Sequence, residues 1–155
     1  MIENSKIQPS DFTEAEMNEQ YQANNIFAKI LKGEAPCIKL FEDDYTLAFM
    51  DIMPQKEGHA LVIPKQAATT IYDLTDQASL ACMKTVQKIG KAVEQALNVQ
   101  GTSIVQHNGN AAGQTVPHFH FHIIPGSLQG LKAHAEVKAE PEHIEKVAQK
   151  IKAYI

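Results

Sequence analysis

The sequence predicts an α+β fold: a five-stranded, mainly antiparallel sheet with one long helix and a C-terminal helix. Five short extended segments can be picked out, and two of them follow one another through a tight turn, an antiparallel connection. The helical patterns are segregated from the strands, as in α+β architectures. Neither an internal repeat nor a low-complexity linker interrupts the chain.

Taken in order, residues 1–24 form a polar extension in which Asp11 and Glu14 have the spacing that starts a short helix. The texture changes at Asn25. "NIFAKILKG" sets Ile26, Phe27, Ile30 and Leu31 on one helical face and ends at Gly33, a residue suited to the position after a helix. "CIKLFE" (37–42) and "TLAFMDI" (46–52) read as strands joined by Asp43, Asp44 and Tyr45, and "HALVIPK" (59–65) as a third. Thr75 and Asp76 then open an amphipathic helix of about 22 residues, with Leu80, Met83, Val86, Ile89, Val93 and Leu97 at three- and four-residue spacing. Asn98 and Gly101 close it. "TSIVQHN" (102–108) and "HFHFHIIP" (118–125) supply two more strands, and Pro141 starts a last helix with Ile144, Val147, Ala148, Ile151 and Tyr154 on one stripe. Residues 25–155 thus read as a single domain, and 155 residues suffice to bury a substantial core.

Composition narrows the function. A formal charge of −4 gives no support to nucleic-acid or anionic-membrane binding. No apolar run approaches the length of a membrane span, and the first residues lack a signal-peptide core. Cys37 and Cys82 stand in unrelated contexts and read as small core residues, so the expected compartment is the reducing cytoplasm. All 14 basic residues are lysines. With no guanidinium to clamp a phosphate, anion recognition falls to imidazoles, amides, hydroxyls, backbone N–H groups or lysine.

The most informative stretch is "VPHFHFHIIPG" (116–126). On an extended chain His118, His120 and His122 share one face, while Phe119, Phe121 and Ile123 share the core face. A merely solvated strand does not call for three imidazoles in a row. A single metal ion fits poorly, because the outer Cα atoms lie about 13 Å apart on a regular strand, although two neighbouring histidines with a distant third ligand such as His59 would be feasible. A phosphoryl group suits the row better, with His120 facing phosphorus and His118 and His122 donating to its oxygens. Neutral imidazole is abundant near pH 7, and a backbone carbonyl accepting from its other nitrogen would fix the tautomer. Upstream, "NGNAAGQTVPH" (108–118) offers the backbone N–H groups of Gly109 and Gly113 as an anion nest, with Gln114 and Thr115 at the same corner.

"HFHFHII" resembles the histidine-triad motif of the HIT superfamily. Residues 25–65 and 108–125 are similar to the two halves of its Hint-type branch, so the likeness spans about residues 25–125. It implies an α+β homodimer, joined through the long helix and a strand into one continuous sheet, that hydrolyses purine nucleotide conjugates at the α-phosphate. His120 matches the nucleophile, His118 and His122 its flanking histidines, and His59 a fourth, supporting histidine. Asp51 matches the carboxylate that takes the ribose hydroxyls, and Phe49 and Ile52 match base-pocket residues. Asn108, Gln114 and Thr115 match phosphate and leaving-group contacts. The likeness calls for no metal or cofactor and assigns no role to His107, His134 or His143.

Departures narrow the branch. The Cys-x-x-Cys that many bacterial relatives use for a structural zinc is replaced by the segment from Asn25 to Ala28. His122 stands where uridylyltransferase relatives carry glutamine, and no tryptophan lies near the C-terminus. The expectation is a phosphoramidase-like hydrolase. A dinucleoside polyphosphate hydrolase and a nucleotide-binding regulatory module are the alternatives.

Overall fold

The computed structural model describes residues 21–129 and 139–155. The Asp11–Glu14 helix start and His134 lie outside the described residues. A short helix α1 (Ile26–Leu31) leads into strands β1 (Lys39–Glu42), β2 (Thr46–Met50) and β3 (Ala60–Pro64). Helix α2 (Asp76–Leu97) follows, then β4 (Thr102–Val105), β5 (Phe121–Pro125) and helix α3 (Pro141–Lys152). The sheet runs β1-β2-β3-β5-β4, every neighbour antiparallel. Among the described residues, no helix is long and apolar enough to cross a membrane.

Local chemistry sets the boundaries. The Asn25 carboxamide oxygen accepts from the Ala28 N–H at 2.8 Å and so caps α1, and Gly33 follows the helix at φ 77°. Asp43 turns the first hairpin by accepting from the N–H groups of Tyr45 and Thr46 at 2.9 and 2.8 Å. Thr75 caps α2 through the Ala78 N–H at 3.1 Å, and Asn98 ends it in the left-handed conformation at φ 52°.

Strand alternation sorts the core into two faces. Ala48, Met50, Ala60, Val62 and Ile123 meet Val86, Ile89 and Val93 of α2 and Ile144, Val147 and Ile151 of α3. On the other face, Leu47, Phe49, Leu61 and Ile63 meet Phe27, Ile30 and Leu31 of α1, with Cys37 and Val116 alongside. A six-residue helix cannot roof that face. Part of it stays open.

Two expectations are corrected. The histidine segment becomes a strand only at Phe121, so His118 and His120 precede β5 instead of forming a regular row with His122. The reason lies in the backbone: the His118 N–H bonds to the Val116 carbonyl, and the Phe119 N–H reaches Ala68 instead of a strand neighbour. Phe119 and Ile123 are fully buried all the same, as the alternation required. The boundary at residue 25 also falls too late, because Tyr21 is 3% exposed and packs with Ala28 and Ala67.

Candidate active site

The open face holds a cavity of about 380 Å³, walled by Phe27, Ile30, Phe49, Leu61 and Val116, with Asp51, Thr115, His120 and His122 at one end. Register explains how a histidine reaches it. His122 pairs directly across from Leu61, so both point to the face that α1 leaves uncovered, while Ile123 opposite Ala60 points to the larger core.

The tautomers follow from obligate partners. The His120 Nδ1 lies 2.7 Å from the His118 carbonyl, which only accepts. His120 therefore donates through Nδ1, and the lone pair of the neutral ring is on Nε2. At His59, Nδ1 accepts from the Gln55 N–H at 3.0 Å, so the proton is on Nε2. That N–H donates to His122 Nδ1 at 2.9 Å and lies 3.5 Å from an Asp51 carboxylate oxygen. His122 consequently presents Nε2–H as a donor. Imidazoles 120 and 122 thus offer complementary atoms, a lone pair and a proton, with ring centroids 4.9 Å apart.

Gly58 makes the His59 placement possible. Its φ is 92°, and a Cβ there would meet Leu97 Cδ1 at 2.2 Å, so only glycine leads the chain into β3 at this angle. Asp51, at the end of β2, holds the next turn by accepting from the Met53 N–H at 2.8 Å while its other oxygen faces His59.

His118 is placed differently from its neighbours. It is wholly buried, Nε2 donates to the Pro64 carbonyl at 2.8 Å, and Nδ1 accepts from the Tyr21 hydroxyl. Burial pushes its pKa from 6.5 down to about 4. The expectation was a direct donor to phosphate oxygens; here both ring nitrogens are engaged within the protein. The loop residues also have partners within the protein. Gln114 accepts from the Gly109 N–H at 2.7 Å and donates to the Thr69 and Val116 carbonyls at 2.7 and 3.0 Å, so its amide shapes the loop. Asn108 accepts from the Ile71 N–H at 2.8 Å and exchanges two bonds with Gln106. The Gly109 and Gly113 amides bond within the loop instead of forming an open nest. Thr115 is exposed and does line the cavity.

Phe49 and Ile52 both line the cavity, Phe49 buried and Ile52 half-exposed at its mouth. Cys37, read as core, lines it as well, with its thiol pKa raised by burial. Residues the sequence reading passed over include Phe27, whose ring stands edge-on to His120 at 5.0 Å, and His107, 5.9 Å from His122. Phe27 was legible as a member of an apolar helical stripe; nothing in the sequence marked His107. Asp51, His59 and His122 also bring three buried ligand atoms within 4.8 Å of one another, a set able to hold a divalent ion.

The family model for the HIT domain matches residues 32–129, which contain all of the cavity's titratable side chains, Cys37, Asp51, His120 and His122. The chain belongs to the HIT family. Adenosine 5′-monophosphoramidase hnt1 of Schizosaccharomyces pombe is 45% identical over 100 residues, covering 64% of this chain and 72% of that protein. Protein hit of Bacillus subtilis is 37% identical over 134 residues, covering 83% and 92%. Among solved structures, a HIT-like protein from Bartonella henselae described as involved in cell-cycle regulation superposes with a TM-score of 0.81 at 43% identity, covering 88% of this chain and 99% of that one. The sheet and helices described above are therefore the HIT fold in full.

Proposed function

We propose that this HIT protein is a hydrolase of purine nucleoside 5′-monophosphate conjugates, phosphoramidates and acyl adenylates, acting through a nucleotidyl-histidine intermediate. The observation that carries the reading is the His120 tautomer: a buried imidazole whose Nδ1–H is tied to a carbonyl and whose Nε2 lone pair belongs to a ring lining an apolar cavity. This is an activated nitrogen nucleophile beside a proton donor. The kinship to a protein named adenosine 5′-monophosphoramidase supports the substrate class.

In the proposed cycle the base lies among Phe27, Phe49, Leu61 and Ile52, and the ribose approaches Asp51. Nε2 of His120 attacks the α-phosphorus, and the bond to the amine or acyl leaving group breaks. Thr115 and His122 bring a proton to that group and donors to the equatorial oxygens. The positive charge on nucleotidylated His120 strengthens its Nδ1–H bond to the carbonyl. Water then attacks phosphorus and returns a proton to the Thr115–His122 donor pair, the nitrogen–phosphorus bond breaks, and the nucleoside monophosphate departs. His59 passes the polarity of Asp51 to His122. No step needs a metal ion.

The proposed assembly is a cytoplasmic homodimer, without nucleic acid or membrane. Strand β4 is a sheet edge carrying Ile104 at 44% exposure, and α2 presents Leu80 and Met83 at 46% and 47%. An unpaired edge beside apolar side chains favours pairing with a second copy.

The test is turnover of an adenosine 5′-phosphoramidate with a fluorescent amine, in chelator-treated buffer, beside diadenosine polyphosphate. Turnover of the phosphoramidate, lost on the order of 10⁴-fold in His120→Ala, is the expected result. Preference for the polyphosphate would move the assignment to dinucleoside polyphosphate hydrolysis. Activity that chelation abolishes and zinc restores would overturn the mechanism in favour of the Asp51–His59–His122 set as a metal site.

A further inference from the structure

A network behind the cavity reaches a residue that lies outside the stretch matched by the family model. Tyr21 is buried, and its ring stands edge-on to His118 at 5.5 Å between centroids. Its hydroxyl donates to His118 Nδ1, because the other nitrogen of that ring already donates to the Pro64 carbonyl. The next link is main-chain: the His118 carbonyl accepts the Nδ1–H of His120 at 2.7 Å.

The local sequence explains why a tyrosine fits here. Asn25 turns back on Gln22, its Nδ2 donating to the Gln22 carbonyl at 2.7 Å while its oxygen caps α1. That turn lays Tyr21 across the back of α1. Ala28 and Ala67, both nearly fully buried, leave room for the phenol ring where larger side chains would not. The donor is also permanent. Burial pushes the Tyr21 pKa up to about 12 and that of His118 down to about 4, so a neutral phenol faces a neutral imidazole at any physiological pH.

We infer that Tyr21 is a positioning residue for the nucleophile: by tethering the far side of the His118 ring it fixes the carbonyl that holds His120 in its Nδ1–H tautomer. The inference rests on His120 being the attacking residue. Neutral histidine in water favours the opposite tautomer, with the proton on Nε2, and that form cannot attack phosphorus. The carbonyl at 118 must therefore stay in place for the productive form to dominate. His118 is anchored at both ring nitrogens, and loss of one anchor lets that carbonyl drift. A buried acceptor left without its donor disfavours the present arrangement further.

The experiment is Tyr21→Phe, which deletes one oxygen and keeps the ring. Steady-state kinetics on the fluorogenic phosphoramidate are paired with nitrogen-15 spectra of labelled histidines. The expected result is a fall in kcat of about five- to tenfold with KM within about twofold, matching the loss of one buried hydrogen bond. The spectra should show His120 losing the Nδ1–H tautomer by a similar factor. A role in packing alone would lower thermal stability while leaving both the tautomer and kcat per folded molecule unchanged, and that result overturns the inference. So would wild-type spectra in which His118 is not an Nε2–H tautomer with a hydrogen-bonded Nδ1, a measurement that needs no variant to fold. If wild type fails to turn over any nucleotide conjugate while the tautomer still shifts in Tyr21→Phe, the nucleophile reading has failed and the tether stands. If turnover is normal and the tautomer does not move, the tether alone has failed.

Discussion

On one face of the sheet Ala48, Val62 and Ile123 are sealed beneath two long helices, whereas on the other Phe49 and Leu61 lie under a helix of six residues and wall a cavity. Both faces are built from the same strands, alternating residue by residue. The helix-covered face is filled mostly by Ile, Val and Ala, with one buried hydroxyl pair, Thr46 and Thr85, satisfied by each other at 2.7 Å. The α1 face carries the buried ionisable groups that line or back the cavity: Asp51, His59, His120 and His122, each held by a named hydrogen bond or ion pair. Burying such groups is costly unless they are paired, and here the pairing fixes the tautomers that chemistry needs. The larger core anchors the strands from which the smaller face presents its imidazoles.

If the two faces divide the labour in this way, a cavity cut into the large core should damage stability and spare chemistry. Ile89 is wholly buried on α2 and does not line the histidine cavity. Ile89→Ala should cost about 4 kcal/mol, within the range for buried Ile-to-Ala changes. Activity per folded molecule should stay within about twofold, because the transfer and cavity costs fall on the other side of the sheet. Urea unfolding with parallel active-site titration checks both. A stable variant with crippled kcat would break the division.

His118 sits on the seam between the two regions, and its titration tests on which side it belongs. Its ordinary pKa of 6.5 is lowered to about 4, so below pH 6.5 the unfolded chain takes up a proton that the folded protein refuses. The stability it contributes is complete above about pH 6.5 and drains away as pH falls toward 4. The full displacement corresponds to about 3 kcal/mol. Urea midpoints should therefore drop between about pH 7.5 and pH 4.5, with His118 signals staying neutral until the acid limit. A His118 that titrates near 6.5 would place it in the solvated site instead of behind it.

Much of this division was legible in the residues, and the illegible part has a physical reason. Period and caps located the elements: Thr75 and Asn98 bracket α2 at both of its observed ends, and Asp43 marked the hairpin. Alternation put Phe119 and Ile123 in the core and His122 on the cavity side. What alternation could not reveal was that the chain leaves the regular strand before Phe121, which turns His118 inward. Side-chain type was likewise silent about the backbone partners that the Gln114 and Asn108 amides take in this loop. Tyr21 was hidden because its partner lies 97 residues away and its neighbours in sequence are polar. Long-range pairing of that kind leaves no local pattern.

The smallest expected effect probes the wall shared by the two functions of the α1 face. Phe27 stands edge-on to His120 at 5.0 Å and to Phe49 at 5.4 Å, so one ring both flanks the proposed nucleophile and bounds the proposed base pocket. Phe27→Leu keeps an apolar side chain on α1 but removes the flat wall and the edge contacts, worth about 0.5–1.5 kcal/mol. Stability should fall by less than about 1.5 kcal/mol, as for other near-isosteric swaps. KM for the phosphoramidate should rise by about three- to tenfold through the lost base contact, and kcat should fall by a smaller factor through a looser His120. The two constants separate the roles. A change in KM alone would confine Phe27 to the pocket, and a change in kcat alone would remove it from base binding. A loss of stability as large as that of Ile89→Ala would mean that α1 is core like α2, and the contrast between the faces would be wrong.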